Sequence, residues 1–355
     1  MVYTNEAVAQ LGINSLNPVE IQSGVESLNG LSSLLSKDWL EFHHLTGNRS
    51  SVIVRYAATV WNAWCNIHLE PGAEGILEKW KSLDDFSKIH SIEMELLFLS
   101  RILSLQKPTK FFPEIDNKIP DAVVSIERRE CFFEFSVRNK SEGMRRTDMV
   151  AQELADFLSE LQPELHSVLA VNILAKDVNV EFIKKQLINS KIGKYFEVNN
   201  DIHYHAIPSD AEFPRDFPNI ENFVTQPRVY CTSLRLGSLP MHKATTIIHV
   251  DDPYAFQKMS EEAKQLPKSH PGIIVLDISG VVKQQDEWNR VIFNQLSSGK
   301  WTRVSAVVLL TLVQPTDTPL KLHDSAIIVN PKAAQPLTQN ELQFLENFVD
   351  KGIHF

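Results

Sequence analysis

Apolar residues recur at helical spacing through the first part of the chain. Val52, Tyr56, Val60, Trp64 and Ile67 lie three or four positions apart, which is the spacing of one face of an α-helix. Tryptophan side chains in the same region supply bulk for a small core. The pattern therefore predicts a helical N-terminal region over residues 1–88.

The pattern changes after residue 88. A helix comes first, predicted by apolar residues at helical spacing: Ile89, Ile92, Leu96, Leu99 and Leu103. Residues 119–126 and 131–137 are rich in β-branched and aromatic side chains, as expected of a hairpin-like pair of strands. A second helix follows over 150–161, and 166–174 has the composition of a buried strand. This order predicts a central sheet with helices packed on it, over residues 89–207.

Prolines cluster in the next segment. Residues 208–227 contain Pro208, Pro214, Pro218 and Pro227, a composition typical of a linker or an extended surface segment. Beyond it, strand-like and helix-like patterns alternate to the end of the chain. Alternation of this kind favours parallel strand pairs. We therefore predict a C-terminal α/β region over residues 228–355, which extends or accompanies the central sheet.

Composition narrows the class of protein. Hydrophobic residues make up 43% of the 355 and charged residues 22%, which is typical of a globular protein and excludes a disordered one. The apolar runs are too short for a membrane-spanning helix, and the N-terminus lacks the pattern of a secretory signal. The three cysteines are widely spaced, which argues against a disulfide framework. We expect a cytoplasmic protein without a membrane association.

Several common enzyme signatures are absent. The sequence contains no P-loop, no G-x-G-x-x-G fingerprint and no G-x-S-x-G elbow. An ATPase, a dinucleotide-dependent enzyme and an α/β-hydrolase are therefore disfavoured.

An ionic strand face is the strongest chemical signal. By strand alternation, Phe132, Glu134 and Ser136 share one face, while Phe133 and Phe135 point the other way. A carboxylate placed between two phenylalanines in the middle of a strand is costly unless it is paired or binds a metal.

Further carboxylates lie close in the predicted fold. Asp121 opens the neighbouring strand, and the preceding helix carries Glu93 and Glu95. Periodicity alone does not choose between these two glutamates. Two adjacent strands and a helix can bring three carboxylates together, and such oxygen ligands suit a hard divalent cation such as Mg²⁺.

These residues resemble the PD-(D/E)xK, or restriction endonuclease-like, nucleases. The likeness rests on Glu95, on Pro120-Asp121 and on Glu134-x-Ser136 in their helix and strand order, about a quarter of the chain. It implies an α/β fold with an αβββαβ core. It also implies that Asp121 and Glu134 bind Mg²⁺ or Mn²⁺, that Glu95 is an auxiliary ligand, and that the chain hydrolyses phosphodiester bonds of DNA or RNA.

One departure from the family pattern concerns the catalytic lysine. Ser136 stands where the family has a lysine that orients the attacking water, and serine carries no charge to stabilise the transition state. Arg138 lies on the same strand face about 6.6 Å further along, and Lys140 lies beyond it. Either Arg138 or Lys140 has taken over the lysine role, or the site binds without cutting.

The segment around the site is locally basic. Between residues 118 and 146 seven basic residues face five acidic ones, a net charge of +2, whereas the whole chain carries −9. Neutralisation of Asp121 and Glu134 by a metal would raise the local value to +4. A locally basic surface suits a polyanion, so DNA or RNA is the expected partner.

Three alternatives remain open at the level of sequence. One is a non-catalytic nucleic-acid-binding or scaffold protein built on a degenerate nuclease fold. Another is an interaction module without a nucleic-acid role, which uses the tryptophan-rich N-terminal helices. The third is a hairpin whose polar face is merely solvated, with Glu134 paired to Arg138. The sequence does not distinguish DNA from RNA, and it leaves sequence preference, a protein partner and the oligomeric state undetermined.

Overall fold

The structure is a computed structural model of the whole chain. It describes residues 2–12, 15–42, 51–83, 86–137, 149–150, 153–154, 157–158, 161, 165–172, 178–189, 195–199, 202–208, 228–236, 239–247, 253–279, 285–313 and 320–350. The chain forms two compact units. The first comprises residues 1–139, 255–280 and 284–355, and the second comprises residues 140–254 and 281–283.

The helices and strands are numbered here in chain order. The helices are α1 (Asn5–Leu11), α2 (Pro18–Leu35), α3 (Trp39–Phe42), α4 (Ser51–Ile67), α5 (Ala73–Lys81), α6 (Phe86–Ser104), α7 (Val180–Ile188), α8 (Pro253–Gln265), α9 (Gln285–Ser297) and α10 (Gln339–Phe348). The strands are β1 (Thr109–Phe111), β2 (Ala122–Ile126), β3 (Arg129–Val137), β4 (Leu165–Asn172), β5 (Tyr195–Asn199), β6 (Ile202–Pro208), β7 (Arg228–Leu236), β8 (Leu239–Ile247), β9 (Gly272–Asp277), β10 (Val304–Val313) and β11 (Lys321–Val329).

A six-stranded sheet organises the first unit. Its strand order is β1-β2-β3-β9-β10-β11. The hairpin β2–β3 is antiparallel, whereas β9 runs parallel to both β3 and β10. The predicted α/β class is confirmed, and so are the parallel strand pairs expected in the C-terminal region. Within that region β9, β10 and β11 extend the sheet that contains β3, whereas β7 and β8 belong to the other sheet.

The two faces of β3 have different environments, as strand alternation predicts. Phe133 and Phe135 belong to the main hydrophobic core, which they share with the N-terminal helices. The ring of Phe135 lies 5.6 Å from that of Phe98 on α6, measured between ring centroids. Glu134 and Ser136 point to the opposite face and are each only 3% exposed. The solvated hairpin face considered above is therefore wrong, because this face is buried as well.

Helices cover both sides of the sheet. On the core side, α4 packs against both α2 and α6, and α6 contacts β3. On the other side, α8 approaches β3 through Glu262 and Ser136, while α9 packs against β11. Parallel strands buried on both faces are typical of this layered arrangement.

The second unit contains a separate antiparallel sheet. Its order is β5-β6-β4-β7-β8. β5 and β6 form one antiparallel pair. β7 pairs with β4 on one side and, along its whole length, with β8 on the other.

One strand was expected in the wrong sheet. The strand predicted at 166–174 corresponds to β4, which pairs with β6 and β7 in the second sheet. The neighbour of β3 is β9, which begins 135 residues after β3 ends (272 minus 137). Local periodicity specifies that a segment is a strand but not its partner. The short strand β1 was also missed, because it follows directly on Pro108.

The two units divide the chain after residues 139 and 254. These positions differ from the domain boundaries predicted from the sequence, which lie after residues 88, 207 and 227. Residues 209–227, which hold most of the predicted linker, lie outside the described residues. Among the helices that the structure describes, none is long and apolar enough to cross a membrane.

Candidate functional site

Asp121 and Glu134 lie opposite each other at the start of β2. In the hairpin register Ala122 pairs with Phe133 and Val123 pairs with Phe132, so Asp121, one position earlier, faces Glu134. The backbone N–H of Phe135 donates a hydrogen bond of 2.7 Å to Asp121 Oδ2. The hairpin itself therefore positions the two carboxyls that the sequence singled out.

Glu95 reaches the same place from α6. Its Oε1 lies 3.1 Å from Nζ of Lys79, and the same Nζ lies 3.8 Å from Asp121 Oδ1. Lys79 belongs to α5 and sits over the ring of Phe112, 4.1 Å from the centroid. One ammonium group thus bridges two of the three predicted metal ligands.

Glu262 adds a fourth carboxyl from the opposite side. It lies on α8, is 8% exposed, and accepts a long hydrogen bond of 3.5 Å from the Ser136 hydroxyl. Carboxyls from both helical layers therefore converge on the β2–β3 hairpin. We call Glu95, Asp121, Glu134 and Glu262 the carboxylate cluster.

Burial and mutual repulsion favour the protonated forms in this cluster. Burial, together with the charges of Asp121 and Glu262, raises the pKa of Glu134 to about 11. Burial and the charge of Glu95 raise the pKa of Asp121 well above its usual range, although Lys79 and the Phe135 N–H oppose this. Burial also raises the pKa of Glu95. Among the described residues, the ammonium of Lys79 contacts two of the four carboxyls, Glu95 and Asp121.

One carboxyl oxygen of the cluster lacks a hydrogen-bond donor among the described residues. Oε1 of Glu134 is buried and receives no hydrogen bond from any of them. Its polar neighbours Asp121 and Glu262 are also carboxyls, which donate a hydrogen bond only while they keep a proton. The oxygen-only donor set has the chemistry that Mg²⁺ or Mn²⁺ requires. Across the described part of the chain, no three His, Cys, Asp or Glu side chains are already arranged as the ligands of a metal ion.

Glu93 has a different role, although it is only two residues from Glu95. It is fully buried, and its carboxylate accepts hydrogen bonds from Trp39 Nε1 (3.3 Å) and Tyr56 Oη (2.9 Å). The structure thus separates the two candidates, since Glu95 joins the carboxylate cluster and Glu93 joins helices in the core.

The basic residues expected to replace the family lysine are not among the described ones. Arg138 and Lys140 both lie outside the described residues. Among the described residues, Lys79 is the cation that contacts the carboxyls. The sequence did not reveal it, because α5 is distant in sequence from the hairpin. Glu262 was also missed, although a signal existed: it lies at helical spacing from Met259 and beside Ala263, on the apolar, buried face of α8.

A further positive charge, that of Lys118, interacts electrostatically with Glu134. Burial and then the charges of Arg303 and Lys268 lower the pKa of Lys118, while Asp116 and Glu134 act in the opposite direction. Arg303 is fixed by hydrogen bonds from Nη1 to the carbonyls of Lys264 and Leu266, at 3.1 and 3.3 Å. Lys118 therefore lies within electrostatic range of Glu134, and Arg303 and Lys268 lie within electrostatic range of Lys118. We call Lys118, Lys268 and Arg303 the basic rim.

Fold and site together define an α/β protein whose mixed sheet carries a buried carboxylate cluster beside a basic rim. No family model, curated protein or solved structure matches this chain.

Proposed function

We propose that the chain is a metal-dependent nuclease of the PD-(D/E)xK type that hydrolyses phosphodiester bonds of DNA or RNA. The order of elements supports this proposal. With the second unit set aside, α6, β1, β2, β3, α8 and β9 follow one another as helix, three strands, helix and strand. This is the αβββαβ order of the expected core, with the second unit inserted between β3 and α8.

The observation that carries the proposal is the pairing of Asp121 with Glu134, whose buried Oε1 lacks a donor among the described residues. Asp121, Glu134 and Glu95 would hold Mg²⁺ or Mn²⁺, and Glu262 is near enough to take part. A bound ion of this kind activates water and stabilises charge on a phosphoryl group.

The protein residues have distinct tasks in this proposal. The Phe135 N–H holds Asp121 in one orientation, and the surrounding strand faces exclude water from the buried carboxyl of Glu134. The basic rim attracts the phosphates of the substrate, since clustered positive charge raises the local concentration of a polyanion. The cluster is little exposed to solvent, and charge interactions are stronger where the local dielectric constant is low.

Cleavage by single variants tests the proposal. Purified protein with Mn²⁺ or Mg²⁺ should cut single- or double-stranded DNA or RNA, and Asp121→Asn and Glu134→Gln should each lower the rate by roughly 100-fold or more. Glu130→Gln is the matched control, because Glu130 lies on the same strand outside the cluster. The enzymatic proposal is lost if no substrate is cut, or if the cluster variants cut as fast as the control.

The basic rim gives an independent test of the polyanion partner. A Lys118→Ala/Lys268→Ala double variant should bind oligonucleotides more weakly, and the slope of log affinity against log salt should become shallower by about one to two units. Lys81→Ala is the control, since Lys81 is an exposed lysine outside the rim. Equal affinities and slopes for both variants would argue against this surface.

A second candidate function is a non-catalytic nucleic-acid-binding protein. It is favoured by Ser136, which is bonded to Glu262 and brings no charge to the site. Salt-dependent binding that survives Glu134→Gln, without cleavage in either metal, would support this alternative.

A further inference from the structure

The ammonium of Lys79 lies between two carboxyls of the carboxylate cluster, Glu95 and Asp121. Its Nζ lies 3.1 Å from Glu95 Oε1 and 3.8 Å from Asp121 Oδ1. These two carboxyls are half of the cluster and two of the three ligands proposed for the metal. A metal ion that binds both must weaken or break their contacts with Lys79.

The exposure of Lys79 provides another position for its head group. The side chain is 46% exposed, so the ammonium can turn towards solvent and be hydrated there. Where it lies now, the ammonium is also 4.1 Å from the centroid of the Phe112 ring, a cation–π contact that the movement weakens. Displacement by a divalent ion therefore needs only a side-chain movement.

We propose that Lys79 is a tethered cation that competes with the divalent metal ion for Glu95 and Asp121, and so sets the metal concentration at which the site fills. This inference rests on the proposed function, because it concerns the same site. In the metal-free protein Lys79 partly neutralises the cluster. On metal binding it leaves the carboxylates to the ion.

The test compares Mn²⁺ affinities of the full chain by isothermal titration calorimetry. Lys79→Met, which keeps the length of the aliphatic stem and removes the charge, should bind Mn²⁺ roughly tenfold more tightly than the unmodified protein. Lys79→Arg keeps the positive charge and should bind like the unmodified protein. Lys81→Met is the matched control on the same helix and should leave the affinity unchanged.

A second measurement separates competition from a purely structural role. Without metal, Lys79→Met should melt at a lower temperature than the unmodified protein, and saturating Mn²⁺ should raise its melting temperature by more. A structural lysine would lower the melting temperature in both conditions equally. Lys79→Gln provides the same comparison if the methionine variant does not fold.

The outcomes distinguish this inference from the proposed function. If the unmodified protein binds Mn²⁺ and cuts, but Lys79→Met has the affinity of Lys81→Met, competition is refuted and the nuclease proposal stands. Binding that appears only in Lys79→Met supports competition and argues against an active unmodified enzyme. If neither protein binds Mn²⁺, both proposals fail.

Discussion

Glu134 is the least exposed of the buried carboxyls of the cluster, and burial together with the charges of Asp121 and Glu262 raises its pKa, which makes the stability of the protein depend on pH. The folded state retains a proton up to a pKa of about 11, whereas the ordinary value is 4.5. Above pH 4.5 the unfolded chain therefore binds fewer protons than the folded one. The free energy of unfolding then falls as pH rises through this window, by up to roughly 1.4 kcal/mol per pH unit for one group.

We expect Glu134→Gln to flatten this dependence, because glutamine does not titrate. Urea unfolding of both proteins in the presence of a chelator, at several pH values between about 5 and 9, measures this dependence of stability on pH. The variant should be more stable than the unmodified protein at the upper end of the range. Glu130→Gln is the control, and it should keep the pH dependence of the unmodified protein. If its unfolding free energy changes with pH as little as that of Glu134→Gln, the assignment of the pH dependence to Glu134 is contradicted. Mg²⁺ should stabilise the unmodified protein more strongly as pH rises, because a metal displaces the protons.

Glu93 and Glu95 offer a second test at the scale of single residues. Glu93→Ala leaves the Trp39 and Tyr56 donors without their carboxylate and should cost roughly 2–3 kcal/mol of stability. Glu95→Ala should cost less, because it relieves repulsion in the cluster, but it should weaken Mn²⁺ binding. Chemical denaturation and calorimetry of both variants check the contrast. If Glu95→Ala lost more stability and Glu93→Ala weakened Mn²⁺ binding, Glu93 rather than Glu95 would belong to the metal site.

At the scale of elements, the position of Lys79 depends on how α5 begins. Gly72 precedes the helix with a φ of +93°, and a Cβ there would lie 2.8 Å from the carbonyl oxygen of Phe111. The close approach of backbone to backbone docks α5 against β1. Only glycine satisfies both the left-handed conformation and the contact.

We expect Gly72→Ala to destabilise the protein by roughly 1–3 kcal/mol, and to weaken the contacts of Lys79 with the cluster as α5 shifts. Gly299→Ala is a matched control, since Gly299 has a φ of +85° but no atom within 4 Å of its added Cβ. Gly299→Ala should lose only about 1 kcal/mol of stability, because a residue with a Cβ is disfavoured at this positive φ. Thermal melts of both variants measure the difference, and equal losses would show that the Phe111 contact contributes nothing.

At the scale of the whole molecule, the site depends on chain segments far apart in sequence. The hairpin β2–β3 needs β9 as its neighbour, and residues 140–254 fold into the second unit in between. A fragment of residues 89–207 therefore lacks β9 to β11 and leaves an edge of β3 unpaired. An exposed strand edge of this kind favours aggregation.

We expect that fragment not to fold, whereas the chain with residues 141–251 replaced by a flexible linker of about ten residues should keep the first unit. Circular dichroism, cooperative urea unfolding and Mn²⁺ binding of the two proteins test this. A soluble, cooperatively folded 89–207 fragment would show that the hairpin does not need β9.

The sequence by itself determined the two faces of β3, the pairing of residues 119–126 with 131–137 and the acidic character of the site, because alternation and short turns are local properties of the chain. Only the tertiary structure decided that β9 rather than β4 lies beside β3, that Glu95 rather than Glu93 joins Asp121, and that Lys79 and Glu262 complete the cluster. These contacts join segments tens to more than a hundred residues apart. Local periodicity carries no information about such partners, since many strands and helices of the same pattern could satisfy it.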